Sequence, residues 1–298
     1  MWVPKGDGTL FRMRPPGFGE GVYFAKEAAT QDDLHFPFMN FIVKRASWPD
    51  VHHWLNAIVA DVHQLAAALG KIEFFWEHRK LVPGDILGLG RFVGSELEYI
   101  LTVCRSLFDQ LQEVLRALWN RITLLDPEQQ RRKGELKKSF REMVMKGDSL
   151  MSVEEIGSVR RIPSPLASAY ADAGAFLQVL RDLRDGVVHG GKEVPLVFVT
   201  DRGFGIPRNA PHFGRLPIWK PEHAFNENVV SLKPALAHIV MSALRACNVF
   251  AEALAGSIQF PEDIAPDHQV FIRSVHGPAM LRVQAVLHGG SPWWAAGA

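Results

Sequence analysis

The segment Arg184-Asp185-Gly186-Val187-Val188-His189 places a permanent cation, a carboxylate and an imidazole within two helical turns of one another. Arginine stays charged at any working pH, and histidine titrates near neutrality. Together they can stabilise developing negative charge and move a proton. Asp185 and His189 are four residues apart and would be neighbours on a helix. The carboxylate can then fix the imidazole tautomer and favour its charged form. A reaction whose substrate carries its own nucleophile asks for little more than proton transfer, typically worth about 10²–10⁴-fold, and electrostatic stabilisation of the charge that develops.

The position of Arg184 is unusual for its pattern. With Leu180 as the centre of an apolar stripe, Phe176 lies about 40° to one side and Leu177 about 60° to the other at 100° per residue. Leu183 and Val187 complete the stripe, and Arg184 falls about 40° from its centre, where an apolar residue is expected. Burying an unpaired charge costs several kcal/mol. Arg184 therefore needs an anionic partner, an opening, a subunit interface or a ligand phosphate. Arg184 and His189 are about 140° apart on an ideal helix, so they converge only if the helix end loosens or a second subunit takes part. Gly186 weakens the last turn by roughly 1 kcal/mol relative to Ala, and Gly190-Gly191 frees the exit. The competing reading is a buried Arg–carboxylate pair and a helix-capping histidine.

Four long helices are expected to carry this segment. The first starts near Ser47, a good N-cap, with Pro49 and Asp50 in its first turn; its stripe is Val51, Leu55, Ile58, Val62, Leu65, Leu69 and Ile72. Pro83-Gly84-Asp85 breaks the pattern. The second runs through Leu97, Ile100, Leu101, Cys104, Leu107, Phe108, Leu111, Leu115, Leu118 and Ile122, and stops before Asp126-Pro127. Pro163-Ser164-Pro165 opens the third, with stripe Leu166, Tyr170, Ala173, Phe176, Leu177, Leu180, Leu183 and Val187, and Gly190-Gly191 ends it. The fourth spans about Lys233 to Ala255. Pro195–Thr200 reads as a strand. Val270–Arg273 and Leu281–Val286 read as a hairpin around His276-Gly277-Pro278. The fold class expected is mostly α: a helical bundle with small β appendages. Its parts are an irregular or β segment at 1–46, a helical domain at 47–256 with a long loop at 201–225, and a C-terminal hairpin and tail at 257–298.

Arg184-Asp185-x-x-x-His189 resembles the R-x4-H motif of HEPN domains, in which a polar residue commonly follows the arginine and the motif closes a long helix. Leu180–Leu183 and Gly190-Gly191 also look like the surroundings of that motif, and the helices over 47–256 are compatible with a HEPN-like bundle. The resemblance implies a metal-independent endoribonuclease with no cofactor, or a non-catalytic relative that binds RNA, nucleotides or protein. It implies a homodimer in which two motifs meet. It also implies His189 as general base or acid at the 2′-hydroxyl, Arg184 stabilising charge on the phosphate, and Asp185 orienting the site. Toxins of stress response and anti-phage defence belong to this family, some controlled by an antitoxin that modifies a tyrosine two residues after the histidine. Here that position is Gly191, a departure from that route of control, and the identity of any antitoxin or regulatory partner stays open.

Other polar groups have two readings each. Arg105 and Asp109 sit four apart at the edge of the second stripe, as pocket support or as a surface pair. Between Arg131 and Lys146 there are seven basic residues and two acidic ones. Arg131, Arg132, Lys133, Lys137, Lys138 and Arg141 can track an RNA backbone or form a solvated face of a short exposed helix over about 135–145. The loop at 201–225 holds Arg202, Arg208, Arg215, Lys220, His212 and His223, and is long enough to act as a lid or clamp. His52, His53 and His63 lack metal-ligand spacing, so no metal site is expected. Trp293-Trp294 is an exposed pair or a strap onto the core.

Net charge is +1 over 298 residues, so no global field draws the chain to nucleic acid, and RNA binding must come from a local patch. The two cysteines, Cys104 and Cys247, fall at apolar helical positions and read as reduced core residues. Met1–Gly8 lacks the apolar run of a signal peptide, and no uninterrupted apolar stretch approaches about 18 residues. A cytoplasmic protein that does not enter membranes is the expectation.

Overall fold

A computed structural model describes residues 2–4, 10–12, 21–45, 51–81, 86–188, 195–260 and 265–294, with side chains at all of these except 2–4, 10–12, 45, 52, 86–87 and 184–188. The chain is mostly helical with small sheets, among them the short antiparallel pairs β1 (Trp2–Pro4) with β2 (Leu10–Arg12) and β4 (Met145–Lys146) with β5 (Ser149–Leu150). Helices α1 (Pro37–Arg45), α2 (His52–Glu77), α3 (Ile86–Trp119), α4 (Pro127–Arg132), α5 (Phe140–Val144), α6 (Val153–Arg160), α7 (Ser164–Val188), α8 (Lys233–Ala255) and α9 (Gly277–Val286) carry it. Two compact units divide the residues: Met1–Val59, Gln110–Ala171 and Ala246–Pro278 form the first, and Ala60–Asp109, Asp172–Arg245 and Ala279–Ala298 the second.

The helical periodicity translates directly into burial. Every residue of the α2 stripe from Val51 to Ile72 is buried, as is every residue of the α3 stripe from Leu97 to Leu118. In α8, Leu236, Ile239, Val240, Leu244, Cys247 and Leu254 are buried. By length and composition α8 is apolar enough to cross a membrane, yet 67% of its most apolar window is buried within the protein, as in a core helix. Neither cysteine is in a disulfide, both are buried, and burial pushes the Cys247 thiol up to about 12.

In the first unit, β3 (Gly21–Ala25) pairs antiparallel with β9 (Gln269–Arg273), Gly21 opposite Arg273 and Ala25 opposite Gln269. The expected C-terminal hairpin is therefore not formed. Val270–Arg273 is a strand, but its partner lies in the N-terminal segment, and Leu281–Val286 belongs to α9. Gly277-Pro278 opens that helix rather than turning a hairpin, a place where proline's missing N–H is harmless. Ala279, Met280, Val283 and Val286, which belong to the second unit, bury one face of that helix. The segment expected to be irregular or β at 1–46 also contains α1, which buries Phe38, Met39 and Ile42. Ser47 and Pro83–Asp85 lie outside the described residues.

Asp33 closes this part of the unit. It accepts from Arg273 Nε at 2.9 Å, from Arg273 Nη2 at 3.0 Å, and from the Tyr23 hydroxyl at 2.6 Å. Burial alone would raise its carboxyl, but these bonds outweigh that and hold it down at about 2. Deeper in the unit, Phe140, Tyr170 and Phe250 form an aromatic cluster with centroids 4.8–5.6 Å apart. The Tyr170 hydroxyl donates to Gln112 Oε1 at 2.7 Å, and Gln112 Nε2 donates to the Lys137 carbonyl at 2.7 Å. No short exposed helix spans about 135–145. Instead α5 covers five residues, capped by Ser139, and buries Phe140, Met143 and Val144. A full capping box, Ser152 with Glu155, starts α6, which the polar pattern had concealed.

In the second unit, β6 (Phe198–Val199), β7 (Phe204–Pro207) and β8 (Val229–Ser231) make an antiparallel sheet in that order. The loop at 201–225 is thus partly a strand, and the rest is a packed wall. Ala210, Phe213, Leu216 and His223 are buried. Trp293-Trp294 straps onto it: the Trp294 amide donates to the Arg202 carbonyl at 2.9 Å, and the Arg202 guanidinium lies 4.2 Å from the Trp293 ring centre. Gly203, at φ +143°, permits this. A Cβ there would come within 2.5 Å of the Trp294 ring.

Candidate functional site

In the second unit the face of α7 formed by Asp172, Ala175, Phe176, Val179, Asp182 and Leu183 lines an open cavity of about 510 Å³. These positions recur at three and four residues, so one side of the helix supplies the whole floor. His238 and Ser242, one turn apart on α8, form a second wall. His212, Arg215, Leu216 and Pro217 form the third. Two carboxylates, a guanidinium, two imidazoles and a hydroxyl thus line one space, the carboxylates flanking the apolar residues of the floor.

His238 packs against Phe176, with ring centroids 6.1 Å apart and planes at 87°. Burial lowers its pKa, so it is neutral near pH 7. A second ring, Phe108, stands 6.1 Å from Phe176 with planes at 42°. The Asp182 carboxylate accepts from Gln178 Nε2 at 2.9 Å.

His212 carries the one backbone feature of the site that costs energy. Its φ of 65° and ψ of −46°, with the Phe213 amide donating to the Pro211 carbonyl at 2.8 Å, define a γ-turn of the rare strained hand. Strain of this kind costs on the order of 1–3 kcal/mol and persists only where surrounding structure imposes it. Here Phe213 and Leu216 anchor the turn in the core, and Trp219 Nε1 donates to the Phe213 carbonyl at 2.9 Å.

The residues expected from sequence stand as follows. Leu180 and Leu183, the last two stripe positions with described side chains, are buried, and α7 continues to Val188. The side chains of Arg184 and Asp185, and the whole of His189, lie outside the described residues. Arg105 and Asp109 pair with each other at 4.0 Å, both partly exposed, and do not line the cavity. An exposed pair of this length contributes little.

The basic run belongs to the first unit, and its members differ in duty. Lys133 Nζ donates to the Ile122 carbonyl at 2.8 Å and sits 4.9 Å from the Trp119 ring centre, and burial lowers its pKa. Arg132 pairs with Glu128 at 2.5 Å and Arg141 with Asp148 at 3.3 Å. Arg131, Lys137 and Lys138 are exposed. In the long loop, Arg202 is taken up by the Trp293 strap, while Arg215 and His212 reach the cavity.

Asp172, Asp182, His238 and Ser242 were not singled out by sequence. One signal was present: Asp172 and Asp182 interrupt the α7 face at a helical spacing from Phe176 and Val179. No protein-family profile, curated protein or solved structure matches the chain.

Proposed function

We propose that the chain is a HEPN-like ribonuclease that cuts RNA without a metal, through attack of a ribose 2′-hydroxyl on the adjacent phosphate. His189 takes the 2′-hydroxyl proton. The new O2′–P bond forms as the P–O5′ bond breaks and the departing O5′ takes a proton from water, leaving a 2′,3′-cyclic phosphate and a 5′-hydroxyl end. Arg184 stabilises the charge on the phosphoryl oxygens, Asp185 orients the imidazole, and a second copy of the chain completes the site.

One observation carries this reading. The helix that leads into the motif lines, from Asp172 to Leu183, a cavity of about 510 Å³ with an aromatic ring on its floor and imidazole and guanidinium groups on its walls. A cavity of this size on the helix that carries the motif can take a small ligand or one base of a strand.

A non-catalytic HEPN-like module that binds RNA or a nucleotide in the same place is favoured by one feature. The lining carries two carboxylates against one guanidinium, which does not attract a phosphate backbone by charge alone. Digestion of an RNA panel in EDTA separates the two. The nuclease reading expects cleavage by the unaltered protein and a loss of about 10²–10³-fold in both His189→Ala and Arg184→Ala, with circular dichroism unchanged. An inert protein that still binds RNA supports the module and overturns the nuclease.

A further inference from the structure

We infer that the cavity between α7, α8 and the 212–217 turn is a recognition pocket for the guanine base of an RNA strand. The inference rests on the preceding reading only in taking the ligand to be RNA; the pocket's preference for the base stands on its own lining.

The lining sorts possible ligands by charge. Asp172 and Asp182 disfavour phosphate, so the group that enters is uncharged or cationic. A wholly apolar group would leave carboxylates, a guanidinium and imidazoles desolvated without partners. A flat heterocycle with donors on one edge and acceptors on the next satisfies both demands.

Hydrogen-bond inventory narrows the heterocycle. A carboxylate only accepts, and a guanidinium only donates. Guanine offers two adjacent donors, N1–H and the N2 amine, to a carboxylate, and two adjacent acceptors, O6 and N7, to an arginine. Adenine and cytosine each set a ring-nitrogen acceptor beside their amine, and uracil flanks its one ring N–H with oxygens. Each would turn a lone pair towards the carboxylate. The neutral base of the four that matches one carboxylate and one guanidinium at once is guanine.

Placement agrees with the inventory. Asp172 precedes Phe176 by one helical turn on the cavity face, so an acceptor adjoins the aromatic ring on which a base can stack. Phe176 is already braced by Phe108 and His238, so its ring needs no ordering on binding. Arg215 comes from the wall formed by the 212–217 turn. Among the described residues, neither Asp172 nor Arg215 has an ion-pair partner, and both charges remain for a ligand. The strained His212 turn sets the backbone three residues ahead of Arg215. A volume of about 510 Å³ lies within the range of small-ligand pockets, roughly 300–1,000 Å³.

Titration calorimetry of the full chain tests this with guanosine, inosine, which lacks the N2 amine, and adenosine. The expected result is guanosine bound at least tenfold more tightly than inosine, with adenosine weaker still, since a bond to a charged acceptor is lost. Asp172→Asn is expected to abolish the guanosine–inosine difference, and Arg215→Met to weaken guanosine. Asp172 and Arg215 are exposed, so neither change removes core packing. Equal affinity for the three nucleosides, no binding, or an undiminished guanosine preference in Asp172→Asn overturns the pocket. The source of the base is tested with GTP and with an oligoribonucleotide holding a single G. Tighter binding of the oligonucleotide than of GTP supports the RNA strand, and the reverse overturns it. Guanosine preference without any RNA cleavage would sink the nuclease reading alone and leave this one intact.

Discussion

The imidazole of His238 stands edge-on to the ring of Phe176 across the floor of the cavity, 6.1 Å between centroids and 87° between planes. That contact places a titratable group in an apolar setting, which lowers its pKa from the ordinary 6.5. Its NMR titration is expected to show a midpoint below 6.5. The folded state binds this proton less readily than the unfolded chain. The contribution to stability is therefore full above pH 6.5 and is lost as pH falls from 6.5 towards the folded value. His238→Phe is expected to flatten this part of a plot of Tm against pH. A midpoint at or above 6.5 in the unaltered protein would contradict the buried setting.

Asp33 and Arg273 give the opposite sign at lower pH. With its carboxyl held at about 2 against an ordinary 3.8, Asp33 stabilises the fold fully above pH 3.8, and the contribution disappears as pH falls from there towards 2. Urea unfolding followed at pH 5 and pH 2.5 is expected to show a loss on the order of 1–2 kcal/mol that Asp33→Asn removes. Asp33→Asn at neutral pH should itself destabilise by a similar amount, since Arg273 is left without its bidentate partner.

Tyr170→Phe deletes a wholly buried hydroxyl and leaves Gln112 Oε1 without its donor. A cost of about 1–3 kcal/mol in urea unfolding is expected. An unchanged midpoint would mean that Gln112 finds another donor.

Within the basic run the structure predicts a division of effects. Lys133→Met loses a hydrogen bond to Ile122 and a contact with Trp119, so it should lower Tm. Arg131→Ser and Lys138→Ser alter exposed side chains and should leave Tm within about 1–2 °C. If this face tracks an RNA backbone, the paired exposed changes weaken RNA retention on a filter and flatten its salt dependence.

The long helices were legible because burial on one side of a helix leaves a period of 3.6, and α2, α3 and α8 carry it over many turns. The pairing of β3 with β9 was not legible, since nothing local to residues 270–273 points to a partner some 250 residues earlier. Leu281–Val286 deceived for a different reason: six residues are too few to separate a buried helix from a strand, and Gly277-Pro278 suits a turn and a helix start equally. The cavity depended on packing that brings α8 and the 212–217 turn against α7. Its two aspartates were visible as polar breaks in a helical face, but the γ-turn at His212 left no trace in residue type.

The most direct test of the central claim is the chemistry of the cut ends. RNA is digested in EDTA by the full chain, and the products are analysed beside a substrate with 2′-deoxyribose at the cleaved position. The account predicts 2′,3′-cyclic phosphate and 5′-hydroxyl ends, no cutting at the 2′-deoxy position, and activity reduced about 10²-fold or more by His189→Ala. Ends bearing 5′-phosphate, cutting at the 2′-deoxy position, or equal rates for the unaltered protein and His189→Ala would contradict it.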